Sequence, residues 1–217
     1  MPPLASFDMN KPSSASPLLP FIDESLGPVD ARTVFSVRTD RARSQRTGST
    51  MQVDRLLCPD WVNVIALVNR PHQPPELICV RQWRFGQNTF SLEIPAGVMG
   101  DHETPREAAL RELQEETGYG PRSPDDVISL GQTWPNAAFM NNQMHTFLVK
   151  DAIKVSDPSP DPHEEIDMSF LPISEVSAAM SDGRFQNAMV LVAFALWLSQ
   201  GETGALPTSF PQYPSHH

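Results

Sequence analysis

The sequence predicts an α/β sandwich built on a mixed sheet. Three observations carry that expectation. Apolar runs of strand length recur along the first two thirds of the chain. One strongly capped helix interrupts them, and a long apolar helix closes the pattern.

The elements follow in order. Residues 1 to 28 are rich in Pro and Ser and lack periodicity, so they read as a mobile arm. Thr33 to Arg43 alternates in part, Gly48 breaks the pattern, and Ser49 to Leu57 resumes it. Trp61 to Val68 (WVNVIALV) is a continuous apolar run, suited to a strand buried on both faces. Asn69 to Pro75 is a turn, followed by strands at Leu77 to Trp83 and Phe90 to Ile94. Pro95-Ala96-Gly97 ends that run.

Thr104 is a good N-cap for a helix, Pro105 suits its first position, and Glu107 completes a capping box. Ala108, Ala109, Leu110 and Leu113 make its apolar stripe, and Gly118 stops it. Val127 to Thr133 and Met144 to Val149 read as strands around a polar loop. Asp157 to His163 is a Pro- and Asp-rich loop before a short strand, Met168 to Leu171. Helices are expected at Ser174 to Met180 and Phe185 to Leu198. The expected division is an arm over 1–28, N-terminal strands over 29–58, a main domain over 59–200 and a disordered tail over 201–217. No internal repeat is present, and the terminal His216 and His217 receive no role.

Composition excludes several classes. The net charge of −10 makes the chain a poor general binder of nucleic acid or anionic lipid. Arg32, Arg38, Arg41, Arg43, Arg46 and Arg55 cluster early, but they read better as a solvated strand face than as a nucleic-acid patch. No apolar run nears the length of a membrane span, and the N-terminus lacks the pattern of a secretory signal. Cys58 and Cys79 stand apart in apolar segments. They read as buried free thiols of a reducing, cytoplasmic setting, without the paired spacing of a zinc site.

Glu112, Glu115 and Glu116 are spaced i, i+3 and i+4, which puts three carboxylates on one helical face. Like charges so placed repel, and a hard cation such as Mg²⁺ or Mn²⁺ relieves the repulsion. A solvated acidic face has the same spacing, so spacing alone leaves both readings open.

The flanking residues decide between them. Gly97, Glu103, Arg111, Glu112, Leu113, Glu115, Glu116 and Gly118 stand at the intervals of the Nudix signature, a pattern that spans 23 residues. Only Tyr119 departs, standing where an aliphatic residue is more usual. The chain is therefore identified as resembling the Nudix hydrolases, and the resemblance implies their αβα sandwich around a mixed sheet. It also implies Glu112 and Glu116 as the main metal ligands, with Glu115 assisting and the Ala96 carbonyl as a further ligand. Arg111 and Glu103 become an ion pair that orients them, with Gly97 and Gly118 as structural positions. The metals, Mg²⁺ or Mn²⁺, would neutralise a pyrophosphate and lower the pKa of a bound water.

Three further segments resemble one branch, the pyrophosphatases of ADP-ribose and nucleoside diphosphate sugars. In the first, Arg81-Gln82-Trp83-Arg84 leads into Glu93-Ile94-Pro95-Ala96-Gly97. Strict alternation puts Arg81 and Arg84 on opposite strand faces unless Arg84 has left the strand. One is expected to bind phosphate and the other to pair with Glu93, two surface arginines being the plain alternative. In the second, Pro135 falls 16 residues beyond Tyr119, within the loop Trp134 to Asn142. Trp134 or Phe139 there can stack on a base, although core packing suits Phe139 equally well. The third is His163-Glu164-Glu165-Ile166-Asp167, in which Glu164, or else Glu165, takes the place of the branch's general base or extra ligand. An exposed acidic loop is the alternative.

The implied activity is hydrolysis of ADP-ribose or a nucleoside diphosphate sugar to a nucleoside monophosphate and a sugar phosphate. The resemblance also implies a homodimer formed through the N-terminal strands. Two other readings stay open: hydrolysis of a dinucleotide such as NADH or of a nucleoside triphosphate, and a non-catalytic nucleotide-binding module. The intact signature carboxylates weigh against the module. A purely structural partner-binding domain has no positive support.

Overall fold

The structure is a computed structural model that describes residues 19–161 and 164–200. The expected tail at 201–217 and most of the expected arm lie outside those residues. The chain divides into two compact units, Met1–Leu57 and Cys58–His217.

The N-terminal unit is a four-stranded antiparallel sheet: β1 (Phe21–Ser25), β2 (Val29–Ala31), β3 (Ser36–Ser44) and β4 (Thr50–Leu57). β3 is central. It pairs with β1 and β2 along one edge and with β4 along the other. Gly48 turns the β3–β4 hairpin with φ of 73°, a left-handed conformation that glycine adopts without steric cost. Phe21–Ser25, inside the bounds expected for the arm, is a strand that pairs with Arg41–Ser44. Its apolar-polar mixture shows no alternation because every residue of β1 is exposed.

The C-terminal unit holds the sandwich. β5 (Trp61–Val68) is central and runs parallel to β11 (Met144–Val149), which pairs antiparallel with β10 (Val127–Thr133). β6 (Glu76–Arg84) meets β5 only at Leu67 and Val68, then diverges. The opening is filled by two short strands: β7 (Thr89–Glu93) on β6 and β8 (Ala96–Val98) on β5. β13 (Ile166–Pro172) covers the far edge of β6. β9 (Tyr119–Pro121) and β12 (Ala152–Lys154) form a separate pair.

β5 is buried from Val62 to Val68, as its continuous apolar run predicts. Val62, Val64 and Ala66 pack with Ala108, Ala109 and Leu113 of α1 (Pro105–Thr117). Ile65 and Leu67 point the other way, into a core with Phe194 and Trp197 of α3 (Ala188–Ser199). That two-sided burial is the mixed α/β sandwich predicted above. α2 (Val176–Ser181) adds Val176 and Ala179 to the second core. No helix among the described residues is long and apolar enough to cross a membrane.

The last helix begins at Ala188, not at Phe185. Asn187 caps it in extended backbone, and Phe185 instead enters the core beside Phe194 from the preceding turn. The short strands β2, β8, β9 and β12 were not expected, since three residues cannot display a period.

Candidate active site

Local sequence fixes the helix that carries the carboxylates. The Thr104 side chain accepts from the Glu107 N–H, and the Glu107 carboxylate accepts from the Thr104 N–H at 2.8 Å. Gly118 ends the helix with φ of 73°, its N–H reaching the Gln114 carbonyl at 2.7 Å. A Cβ there would lie 2.3 Å from the Ser156 carbonyl oxygen, so glycine also admits the next loop.

Glu112 and Glu116 lie on the inward face, 8% and 3% exposed. Both meet the Ala96–Gly97 backbone. The Ala96 N–H donates to Glu116 Oε2 at 3.2 Å. A Cβ on Gly97 would stand 2.1 Å from the Glu112 carboxylate, so only glycine lets that carboxylate seat itself there. Arg111 organises the other side. It holds Glu103 through Nε at 2.6 Å and Nη2 at 3.0 Å, and it reaches Glu112 Oε1 at 2.9 Å and Glu115 Oε2 at 2.8 Å. The Arg111 hydrogen bonds and the Gly100 N–H bring the Glu103 carboxyl down to about 2.

The inner pair behaves in the opposite way. Burial first, then the charges of Glu112 and Glu164, push the Glu116 carboxyl up to about 9 against the opposing Ala96 N–H and Arg84 charge. Burial raises Glu112 as well, the charges of Glu115 and Glu164 adding to it and Arg111 opposing. Every donor in this cluster is an oxygen, the chemistry that suits a hard divalent cation. Among the described residues, no three His, Cys, Asp or Glu side chains are gathered around one point as a ready ligand set. Glu115 is turned to Arg111, and the Ala96 group that touches Glu116 is its N–H.

Glu164 follows a loop tied to the end of α1. The Val155 and Ser156 N–H groups donate to the Gly118 carbonyl, and the Ser159 N–H donates to that of Glu115 at 2.8 Å. The charge of Glu164 bears on Glu112, Glu116 and Arg84, whereas Glu165 is not among the groups that act most on them.

Arg84 closes the cluster on the sheet side. Its fork grips Glu93, Nε to Oε1 at 2.8 Å and Nη2 to Oε2 at 2.7 Å. Burial alone would raise the Glu93 carboxyl, but the hydrogen bonds and charge of Arg84 outweigh it and hold it below its ordinary value. Both Glu93 oxygens are thus spent on orienting Arg84. Arg81 lies 4.4 Å above the Phe90 ring and, among the described residues, pairs with no carboxylate. Alternation places the two arginines on opposite faces of β6, yet both line one cavity of about 830 Å³ around β7. Its other wall is the turn into α3, including Arg184, Gln186 and Asn187, none of which was singled out from sequence. Asn187 had a readable signal, being a good N-cap just ahead of an apolar helix. Three arginines line it, but Arg84 is paired with Glu93 and Arg184 with Asp182 and Glu175, which leaves Arg81 as the one without a carboxylate partner among the described residues.

The loop after β10 is less integrated. Trp134 is 69% exposed and Phe139 44% exposed, so Phe139 is not a core residue, and neither lines the cavity. Asn136 folds the loop after Pro135, its carbonyl accepting from the Met140 N–H at 2.9 Å.

Comparison with known proteins agrees with this geometry. The NUDIX domain family matches residues 59–191. The chain belongs to that family. An ADP-sugar pyrophosphatase of Mus musculus is 47% identical over 60 residues, 28% of each chain. An ADP-ribose pyrophosphatase of Bacillus subtilis is 33% identical over 93 residues, 43% of this chain and 46% of the relative. A methanol dehydrogenase activator of Bacillus methanolicus is 29% identical over 147 residues, 67% of this chain and 76% of the relative. A solved ADP compounds hydrolase superposes with a TM-score of 0.73 at 20% identity, over 88% of this chain and all of its own, a likeness of fold. The matches to the two pyrophosphatases support the ADP-ribose and ADP-sugar branch of the Nudix pyrophosphohydrolases. The aligned segments span less than half of either pyrophosphatase.

Proposed function

We propose that this Nudix protein hydrolyses the pyrophosphate bond of ADP-ribose or a nucleoside diphosphate sugar, releasing a nucleoside monophosphate and a sugar phosphate. One observation carries the reading. A buried carboxylate pair, Glu112 and Glu116, adjoins a fork, Arg84–Glu93, that opens on an arginine-lined cavity. The arginines suit a diphosphate, and the cavity volume suits a nucleotide-sized ligand.

The cluster fits a divalent ion, Mg²⁺ or Mn²⁺. Two buried carboxylates that repel each other are relieved by a cation, and their oxygens are the ligands such ions prefer. When bound, the ion supplies Lewis acidity, neutralising phosphate charge and easing loss of a proton from water. The protein's own groups do the rest. Glu112 and Glu116 would hold the ion, and Arg111 keeps Glu112 and Glu115 aligned. Arg84 and Arg81 take the phosphate oxygens. Glu164 accepts the proton as water oxygen bonds to one phosphorus and the bridging P–O bond breaks. Trp134, exposed but outside the cavity lining, is left to stack on a base that extends beyond it.

The N-terminal unit supports the homodimer. It exposes the apolar side chains of Phe21, Ile22, Leu26, Val29 and Met51, which a second copy would cover. Light scattering that found a monomer would remove that part. The unpaired Cys58 and Cys79 support a reducing, cytoplasmic setting.

A chromatographic screen for the nucleoside monophosphate and sugar phosphate products tests the activity. ADP-ribose, ADP- and UDP-glucose, GDP-mannose, NADH and nucleoside triphosphates are each assayed with Mg²⁺ and with Mn²⁺. The reading expects turnover of a diphosphate sugar above all others. Preference for NADH or a triphosphate would replace it, and binding without turnover would make the chain a nucleotide-binding module.

A further inference from the structure

We infer that Asn187 is a positioning residue, which sets the Arg84 guanidinium through Glu93. The inference rests on the reading that Arg84 meets the substrate's phosphates. Asn187 uses both ends of its amide. Its Oδ1 accepts from the Met189 N–H at 2.9 Å, capping α3. Its Nδ2 donates to Glu93 Oε2 at 2.8 Å. That same oxygen accepts from Arg84 Nη2 at 2.7 Å, and the other Glu93 oxygen accepts from Arg84 Nε.

Three elements therefore meet at one carboxylate that is 1% exposed: the first turn of α3, β7, and the end of β6. A buried carboxylate held from one side can swing, whereas one held from two sides fixes the fork it binds. Arg84 uses two of its five N–H groups on Glu93, which leaves the others for a ligand in the cavity they share.

The pairing is specific to asparagine. Asp would cap the helix equally well but set a second carboxylate against Glu93. Ser would also cap, but it is too short to reach Glu93. A helix cap alone accepts any of the three. The donor to Glu93 is thus an added function of this side chain, separable from the cap.

Asn187→Ser, Asn187→Asp and Arg84→Gln test it. ADP binding is measured by calorimetry, ADP-ribose hydrolysis in Mg²⁺ gives KM and kcat, and melts report the cap. Asn187→Ser should weaken ADP binding and raise KM by about tenfold, the effect of losing a hydrogen bond to a charged group, with Tm held within a few degrees. Asn187→Asp should weaken both further, kcat changing less than KM in each variant. Unchanged ADP affinity in both, while Arg84→Gln weakens it, overturns the inference and leaves the function standing. Unchanged affinity in Arg84→Gln removes the role of Arg84 and the inference with it. A Tm loss without an affinity change makes Asn187 a helix cap and nothing more.

Discussion

Asp40 in the N-terminal unit and Glu116 in the C-terminal unit are both almost wholly withdrawn from solvent, at 1% and 3% exposure. At Asp40 burial is more than compensated. Arg38 approaches at 2.8 Å, the Gly27 N–H donates at 3.0 Å and Arg55 binds the second oxygen, so the carboxyl is held below its ordinary value. At Glu116 burial wins. One N–H from Ala96 and the charge of Arg84 do not offset the loss of water and the charges of Glu112 and Glu164. A carboxylate that holds a fold together is satisfied by its own protein. One left short of positive charge is built for a partner from outside.

The most direct way to break that contrast is to neutralise the unsatisfied pair. Glu112→Gln and Glu116→Gln should each lower kcat by at least about a hundredfold with an unchanged circular-dichroism spectrum. Near-wild-type turnover in both would refute the metal assignment.

The base can be sharpened in the same assay. Glu164→Gln should slow turnover by about a hundredfold, and Glu165→Gln should leave it close to wild type. The reverse result would move the base one residue along, and no effect in either would move it elsewhere.

Stability against pH should then run in opposite directions at the two sites. Glu116 is raised on folding, so its contribution is fully present below its ordinary value of 4.5 and is lost as pH rises towards about 9. Asp40 is lowered, so its contribution is present above its ordinary value of 3.8 and is lost as pH falls through the folded value. In metal-free melts, Glu116→Gln should flatten the decline above neutrality, and Asp40→Asn should lower Tm by several degrees at neutral pH. Parallel profiles in the two variants would erase the distinction.

Thr104→Ala touches neither carboxylate and is the smallest effect. Losing the cap costs about 1 kcal/mol, a Tm shift of a few degrees, with KM unchanged. A changed KM would mean that the cap also shapes the site.

Much of the C-terminal unit was legible because its signals are local. β5, β10 and β11 run between the residues their apolar runs mark, and α1 between its capping box and its glycine. The N-terminal unit was harder to read. β1 is exposed along its whole length, so no burial pattern announces it. The start of α3 was misplaced because Phe185 is as apolar as the helix it precedes, and only the Asn187 cap separates them.

By itself, the sequence determined the family, the sandwich and the helix on which Glu112, Glu115 and Glu116 stand, because motif spacing and caps act over a few residues. Tertiary structure alone decided what each carboxylate faces. The splay between β5 and β6 brings Ala96 against Glu116. The β6–β7 hairpin delivers Glu93 to Arg84, and a helix 94 residues further on supplies Asn187. Burial and charge at such a site are sums over groups distant in sequence, and no local pattern records them.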